Sequence, residues 1–470
     1  MSRRILLINT NTVKPPVSPV GLEYAGEALL NSGIAVDILD LSFTPDWRSS
    51  LRKQLQDNEP LLVGMTVRNT DDCSFVSRRS FLPWIASIVS ELRYLTGSPV
   101  VLGGAGFSTM PVAALKAAAA DMGVAGDGEE ALPALARCLL NAEDFTRLPN
   151  LVHRQNGKVV SNPRIESDLG NLPAMRRELF DNRRYEEYGA MVGIETKRGC
   201  PGGCIYCADP IAKGKVVRTW PIKSIIQEIR SLIEQGVCWL HMCDSEFNIP
   251  LEHAKNVCTA IINQGLGQKI NWYCYCSPVP FDRELALLMK AAGCSGINFG
   301  IDSLCDEQLQ RLGRIHSSDD VSRLVNLLDA HKINYMCDLL IGGPGETHET
   351  IIKTIEKAKK INISLVGIAA GVRVYPHTYL RESIANGTIR GKMYPEICEN
   401  PGQPLFYVSP SLDNDLIAEI NRRIDGDERF LLLSSPSDGG SYNYADDEML
   451  CALIQKGSRG AYWDILKKNQ

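Results

Sequence analysis

The chain has 470 residues, 44% hydrophobic and 22% charged, the proportions of a globular protein with room for two or three domains. Its 50 basic and 55 acidic residues leave a net charge of −5, which argues against an electrostatically driven nucleic-acid binder. It carries no apolar run of the roughly twenty residues that a membrane-spanning helix needs, and the stretch Met1–Asn9 is too short an apolar run for a signal peptide.

From residue 1 to about 145, short apolar runs alternate with helical patterns. Strands are expected at Ile5–Asn9, Ala35–Leu39, Leu62–Thr66, Val100–Gly103 and Met122–Ala125, with helices over Gly21–Asn31, Phe81–Leu95 and Ala113–Ala119 between them. Regular alternation of this kind predicts an α/β domain with a doubly wound, Rossmann-like parallel sheet. Ligands of such sheets sit beyond the carboxyl ends of the strands. The loops there begin at Asn9, at Thr66 with Arg68, at Gly103-Gly104, and at Gly126 with Glu129, and several are rich in residues that let a backbone approach a ligand closely.

Residues 146–185, with Leu172-Pro173-Ala174 and many charges, are expected to be a linker. From 186 to 400 the alternation resumes, with strands expected at Gly193–Thr196, Val237–Met242, Asn271–Cys276, Gly296–Gly300, Tyr335–Ile341 and Leu365–Ile368. Six such units suggest a partial (β/α)6 barrel, whose chemistry collects at the carboxyl ends of its strands. Residues 401–470 are expected to form a small helical cap over the open edge. Its aromatics, and those of Trp272–Cys276, read first as core and second as substrate contacts.

The first barrel strand leads into Gly199-Cys200-Pro201-Gly202-Gly203-Cys204-Ile205-Tyr206-Cys207. Fifteen cysteines in a chain without a leader point to a reducing cytoplasm and to metal or thiol chemistry. The C-x3-C-x2-C run supplies three soft thiolate ligands, suited to zinc or to an iron–sulfur cluster. A structural zinc site closes around four ligands, and the next Cys or His residues are Cys238 and His241. A four-iron cluster also takes four cysteines as a rule, so three would leave one iron open.

This run, with an aromatic residue before its last cysteine, resembles the signature of radical S-adenosylmethionine enzymes. The resemblance implies a 4Fe-4S cluster on Cys200, Cys204 and Cys207, with S-adenosylmethionine on the open iron and Tyr206 beside it. It further implies that Asp244, Ser245 and Glu246 hold the methionine ammonium, a role that suits anionic acceptors. Asp302 and Ser303 stand where the family has G-I-E-S and would meet the ribose, although Asp302 is one methylene shorter than the usual Glu. The turn Gly342-Gly343-Pro344-Gly345 would pass near the adenine, and Arg373 would meet the carboxylate.

The N-terminal segment is similar to the cobalamin-binding domain that precedes many such enzymes, on Gly21–Leu29, Gly33–Asp37, Gly103-Gly104 and Gly126–Glu130. That likeness implies cobalamin over Asn9, Thr66, Arg68, Gly103, Gly104, Gly126 and Glu129. One departure matters: no histidine precedes His153, so the segment has no imidazole to ligate cobalt from below. Together the resemblances imply a cobalamin-dependent methyltransferase acting on an unactivated carbon, or a phosphinate phosphorus, of a small molecule or peptide. An electron donor such as a flavodoxin or ferredoxin is expected. The alternative is an oxidoreductase or cyclase using the same cofactors without methyl transfer.

Overall fold

The computed structural model describes residues 4–56, 59–396, 400, 402–412, 415–432 and 447–469. Parts of the expected cap, 401, 413–414, 433–446 and 470, therefore lie outside the described residues. Two seven-stranded sheets organise the chain.

The first sheet contains β1 (Arg4–Asn9), β2 (Ala35–Asp40), β3 (Val63–Thr66), β4 (Val100–Gly103), β5 (Met122–Val124), β6 (Leu151–Gln155) and β7 (Lys158–Ser161), in the order β2-β1-β3-β4-β5-β6-β7. The first five run parallel. Ile5, Leu6, Leu7 and Ile8 are all buried because helices cover both faces, which is why β1 reads as a continuous apolar run rather than an alternating one. β6 and β7 form an antiparallel hairpin on the sheet edge, within the segment expected to be a linker. Its turn has Asn156 at φ 50° and Gly157 at φ 75°. An Asn-Gly pair supports this left-handed backbone, and it was the available hairpin signal.

In the second half, β8 (Val192–Ile194) starts the barrel. A short ribbon of β9 (Lys197–Arg198) and β10 (Arg218–Thr219) brackets the cysteine loop. Then come β11 (Trp239–Met242), β12 (Asn271–Cys276), β13 (Cys294–Asp302), β14 (Tyr335–Ile341) and β15 (Val366–Ala370). A small antiparallel sheet of β16 (Val372–Arg373), β17 (Lys392–Tyr394) and β18 (Phe406–Val408) follows. Finally β19 (Phe430–Leu432) pairs in parallel with β15, so the barrel sheet has one strand more than the six expected. Its order is β19-β15-β14-β13-β12-β11-β8.

The C-terminal helices Glu448–Gln455 and Tyr462–Asn469 do not cover an open edge. They pack Leu450, Ile454, Tyr462 and Trp463 against Tyr273, Met336 and Leu365, closing the barrel from the amino-terminal end of its strands. Asp464 anchors this plug by accepting from Tyr273 and from Asn334 Nδ2 at 2.9 Å.

The segment between the two sheets fixes their relative orientation. Arg177 is fully buried and donates to Glu23 on the helix Val20–Asn31 and to Glu228 on the barrel helix Ile222–Glu234, each at 2.7 Å. Tyr24 donates to the same Glu228 oxygen. Burial pushes the Glu228 carboxyl up to about 7 while Arg177 pulls the other way. Breaking one partner of such a buried set leaves an uncompensated charge, which is strongly destabilising. Among the described residues no helix is long and apolar enough to cross a membrane.

Candidate active site

The cysteine loop follows β9 and is held by backbone bonds from three directions. Cys200 N donates to Gly214 O at 3.1 Å, Ile205 N to Leu312 O at 3.1 Å, and Leu380 N to Ile205 O at 2.8 Å. Gly199 has φ 92°, and a Cβ there would strike the Val216 carbonyl, so the entry to the loop requires glycine. A Cβ on Gly202 would sit 3.3 Å from Cys200 Sγ and 4.0 Å from Cys204 Sγ. Gly202 thus adds no side chain beside these two sulfurs. The loop supplies three soft thiolates, the donor type an iron–sulfur cluster takes, although among the described residues no three ligating side chains stand close enough to hold a metal ion.

Arg314 donates to Cys204 Sγ at 3.1 Å and lies 3.4 Å from Asp302 Oδ2. Asp302 in turn accepts from the Tyr206 hydroxyl. Burial raises the thiols of Cys200, Cys204 and Cys207 above their ordinary range, and at Cys204 the guanidinium counters it. Asp302 reaches Arg314 because β13 slips register between Gly300 and Asp302, leaving Asp302 at φ 56°. Such bulges re-aim side chains.

Several residues expected at ligand contacts have protein partners in this structure. Asp302 is 7% exposed and pairs with Arg314 and Tyr206. Ser303 is 1% exposed, shares a hydrogen bond with Thr354 at 2.9 Å and accepts from Cys305 N, so it is part of the core. Asp244 accepts from Thr196 N at 2.9 Å, from Thr196 Oγ1 and from Lys197 N at 3.2 Å, bracing the approach to the cysteine loop. Arg373 donates to Asp71 and to the Val374 and Leu405 carbonyls, clasping the first domain. Gly342 and Gly343 turn their N–H groups onto Glu346, and Gly345 packs against Arg311.

Ser245 and Glu246 remain available. Ser245 Oγ and Glu246 Oε2 are buried without hydrogen-bond partners. Burial pushes the Glu246 carboxyl up to about 7, with Arg314 pulling down. These two groups suit an incoming ammonium beside the cluster.

The first domain contributes a cavity of about 340 Å³ beyond the carboxyl ends of β1, β3, β4 and β5. Asn9, Thr66, Arg68, Gly103, Gly104, Gly126 and Glu129 all line it, and no histidine does. Some of these residues also brace the wall. Asn9 Nδ2 donates to Asp40, Ser42 and Tyr185. Gly104, at φ 99°, would put a Cβ 2.8 Å from Val67 O. A cavity lined in part by glycines and by no imidazole fits a corrin ring that takes no histidine from this segment.

A second cavity of about 350 Å³ occupies the barrel interior. Its deep end is aromatic, from Tyr273, Tyr275, Tyr462 and Trp463, and its outer end carries Asp209, Asp244 and Ser245. Val17, Ser18, Val20, Arg68, Lys213 and Cys243 line both cavities, so the two share a wall. Lys213 donates to Cys243 O at 3.0 Å; burial opposes its charge, but Asp209 and Glu195 outweigh that and raise its pKa. His241 is pushed down to about 4 by burial, with Arg68 and Lys213 adding to the effect, and stays neutral near pH 7. Lys213, His241, Cys243, Asn298 and Arg314 were not foreseen as site residues. The first four line the barrel cavity, and Arg314 reaches Cys204 and Asp302.

A three-cysteine loop at a barrel mouth, together with a barrel cavity that shares a wall with a Rossmann-like cavity, points to an enzyme that uses an iron–sulfur cluster and a corrinoid together. Residues 194–358 match the radical SAM superfamily and residues 6–136 the B12 binding domain. The chain is 31% identical to the tryptophan 2-C-methyltransferase of Streptomyces laurentii, over 98% of this chain and 95% of that protein. It superposes with TM-score 0.92 and 30% identity on TsrM from Kitasatospora setae with tryptophan and a SAM analogue bound, covering 100% of this chain and 99% of that one. The cobalamin-dependent radical enzyme OxsB, 13% identical with TM-score 0.71 over 90% of this chain and 66% of that one, shares the fold.

The chain belongs to the cobalamin-dependent radical S-adenosylmethionine methyltransferases. Its cofactors are a 4Fe-4S cluster, S-adenosylmethionine and cobalamin, and its substrate is a small molecule. The likeness favours methyl transfer over the oxidoreductase or cyclase alternative.

Proposed function

We propose that the enzyme methylates a carbon of L-tryptophan or a closely related aromatic amino acid. The observation that carries this reading is the wall shared by the aromatic barrel cavity and the first-domain cavity. The full-length likeness to a tryptophan methyltransferase supports it. When bound, the cluster holds S-adenosylmethionine, the methyl source, and cobalamin carries the methyl group between donor and substrate.

The chain's own residues bind, orient and shield. Tyr273 packs edge-on to Trp463 at 5.9 Å and stacks with Trp239 at 6.3 Å, giving a dry floor for an aromatic ring. Burial pushes the Cys243 thiol up to about 11, so it stays protonated beside the neutral His241. The shared wall therefore carries its charge on Arg68 and Lys213, which suits a substrate with a carboxylate.

Pro201, Gly202 and Gly203 are exposed on the outer face of the cysteine loop, where a flavodoxin- or ferredoxin-type donor would deliver electrons. Free thiols throughout the described residues suit the cytoplasm. The reading is tested by supplying methyl-deuterated S-adenosylmethionine to anaerobically reconstituted enzyme with L-tryptophan. Deuterated methyl in a tryptophan product supports it. Label absent from tryptophan, but present in another acceptor of a test panel, overturns the substrate assignment.

A further inference from the structure

Asn298 lies in the middle of β13, is 4% exposed, and has no hydrogen-bond partner for either its amide nitrogen or its amide oxygen. Buried polar groups are paired in nearly all native structures, so two orphans on one side chain call for an explanation. Asn298 lines the barrel cavity. Side chains two apart on a strand share a face; on that face Trp463 and Tyr273 fill the space beside Gly296, and Arg314 lies beside Gly300. Tyr275, its registered partner on β12, lines the same cavity.

A carboxamide offers a donor and an acceptor side by side in one plane. Its complement is a ligand group that presents an acceptor beside a donor, as the carboxylate and ammonium of an α-amino acid do. We propose that Asn298 is a specificity-determining residue that reads this polar end of the substrate. The proposal rests on the reading of the barrel cavity as the site for an aromatic amino acid. It accounts for why a polar side chain is kept, unpaired, at a position where an apolar residue would suit the barrel better.

The test compares the holoenzyme with its Asn298→Leu and Asn298→Asp variants on L-tryptophan, tryptamine (no carboxylate) and indole-3-propionate (no ammonium). Asn298→Leu is expected to raise KM for L-tryptophan about 10- to 100-fold, with kcat much less affected and the cobalamin and cluster absorption unchanged. The loss should be smaller for each analogue, which lacks half of the paired group. Asn298→Asp should reverse the preference in favour of tryptamine, because a carboxylate repels a carboxylate. An unchanged KM, as when an ordered water satisfies the amide, overturns the proposal. So does a loss of equal factor for all three compounds.

The melting temperature of the variants decides the matter independently of substrate identity. If wild-type enzyme turns over none of the three compounds, the tryptophan assignment fails, yet Asn298→Leu still melts at or above wild type when the amide is kept for a ligand. A lower melting temperature means the amide serves the fold, which contradicts the proposal.

Discussion

Arg198 donates to Glu129 through two hydrogen bonds, 2.6 and 3.1 Å long, that join the cysteine loop to the floor of the corrinoid cavity. Arg198 sits two residues before Cys200, and Glu129 lines the cavity, so one ion pair ties both cofactor sites together. Asp127 and Glu195 complete the set around the same guanidinium. Arg198→Ala would leave three carboxylates without their shared cation. A loss of about 3–5 kcal/mol in unfolding free energy is expected, read by urea denaturation, together with weaker cobalamin retention on gel filtration. Retention and stability equal to wild type would remove this coupling.

Arg373 makes a sharper case, because its position in the barrel suggests a ligand while its bonds go to Asp71. Arg373→Met should destabilise the protein by about 3–5 kcal/mol, since Asp71 is left buried and unpaired. S-adenosylmethionine affinity of the folded variant, measured by equilibrium dialysis, should stay close to wild type. A large drop in affinity without a drop in stability would return Arg373 to the ligand site.

Gly104 has φ 99° and ψ 171°, a region open in practice only to glycine. A Cβ there would approach Val67 O and Thr66 Oγ1 at 2.8 and 2.9 Å. Gly104→Ala should cost about 1–3 kcal/mol and push the Thr66 and Gly104 loops apart. Titration with hydroxocobalamin, followed by absorbance, should show clearly weaker binding than wild type.

Glu346 accepts from the N–H groups of Gly342 and Gly343, and burial pushes its carboxyl from 4.5 up to about 7 despite those donors. The folded chain therefore keeps a proton that the unfolded chain has already lost. The associated stability is complete below about 4.5 and is lost as pH rises to about 7, on the order of 3 kcal/mol in all. Glu346→Gln removes this titration, so the variant should gain on wild type in urea midpoint between about pH 5 and about pH 8. A difference that stays constant with pH would contradict the assignment.

The parallel strands were legible because strands covered on both faces, such as β1 and β4, leave continuous apolar runs. The cysteine loop was legible because its chemistry is local: three ligands and their glycines fall within nine residues of one another, from Gly199 to Cys207. What escaped depends on distant partners. Arg373 and Asp71 are 302 positions apart, and only the assembled fold shows that they meet. Asp244, Asp302 and Ser303 carry residue types suited to ligand contacts, and only the fold shows that they also bond Thr196, Arg314 and Thr354. The hairpin β6–β7 was hidden by the charged, linker-like composition around it. The helical C-terminal extension was expected but not its place, because the direction of its packing is set by Tyr273 and Asp464 across 191 positions.

The account turns on methyl passage across the wall formed by Val17, Ser18, Val20, Arg68, Lys213 and Cys243. Enzyme loaded with carbon-13 methylcobalamin, then given L-tryptophan and unlabelled S-adenosylmethionine, should place carbon-13 in the product of its first turnover. A first-turnover product carrying only the unlabelled methyl group, from enzyme whose cobalamin and cluster are both shown to be bound, would contradict it.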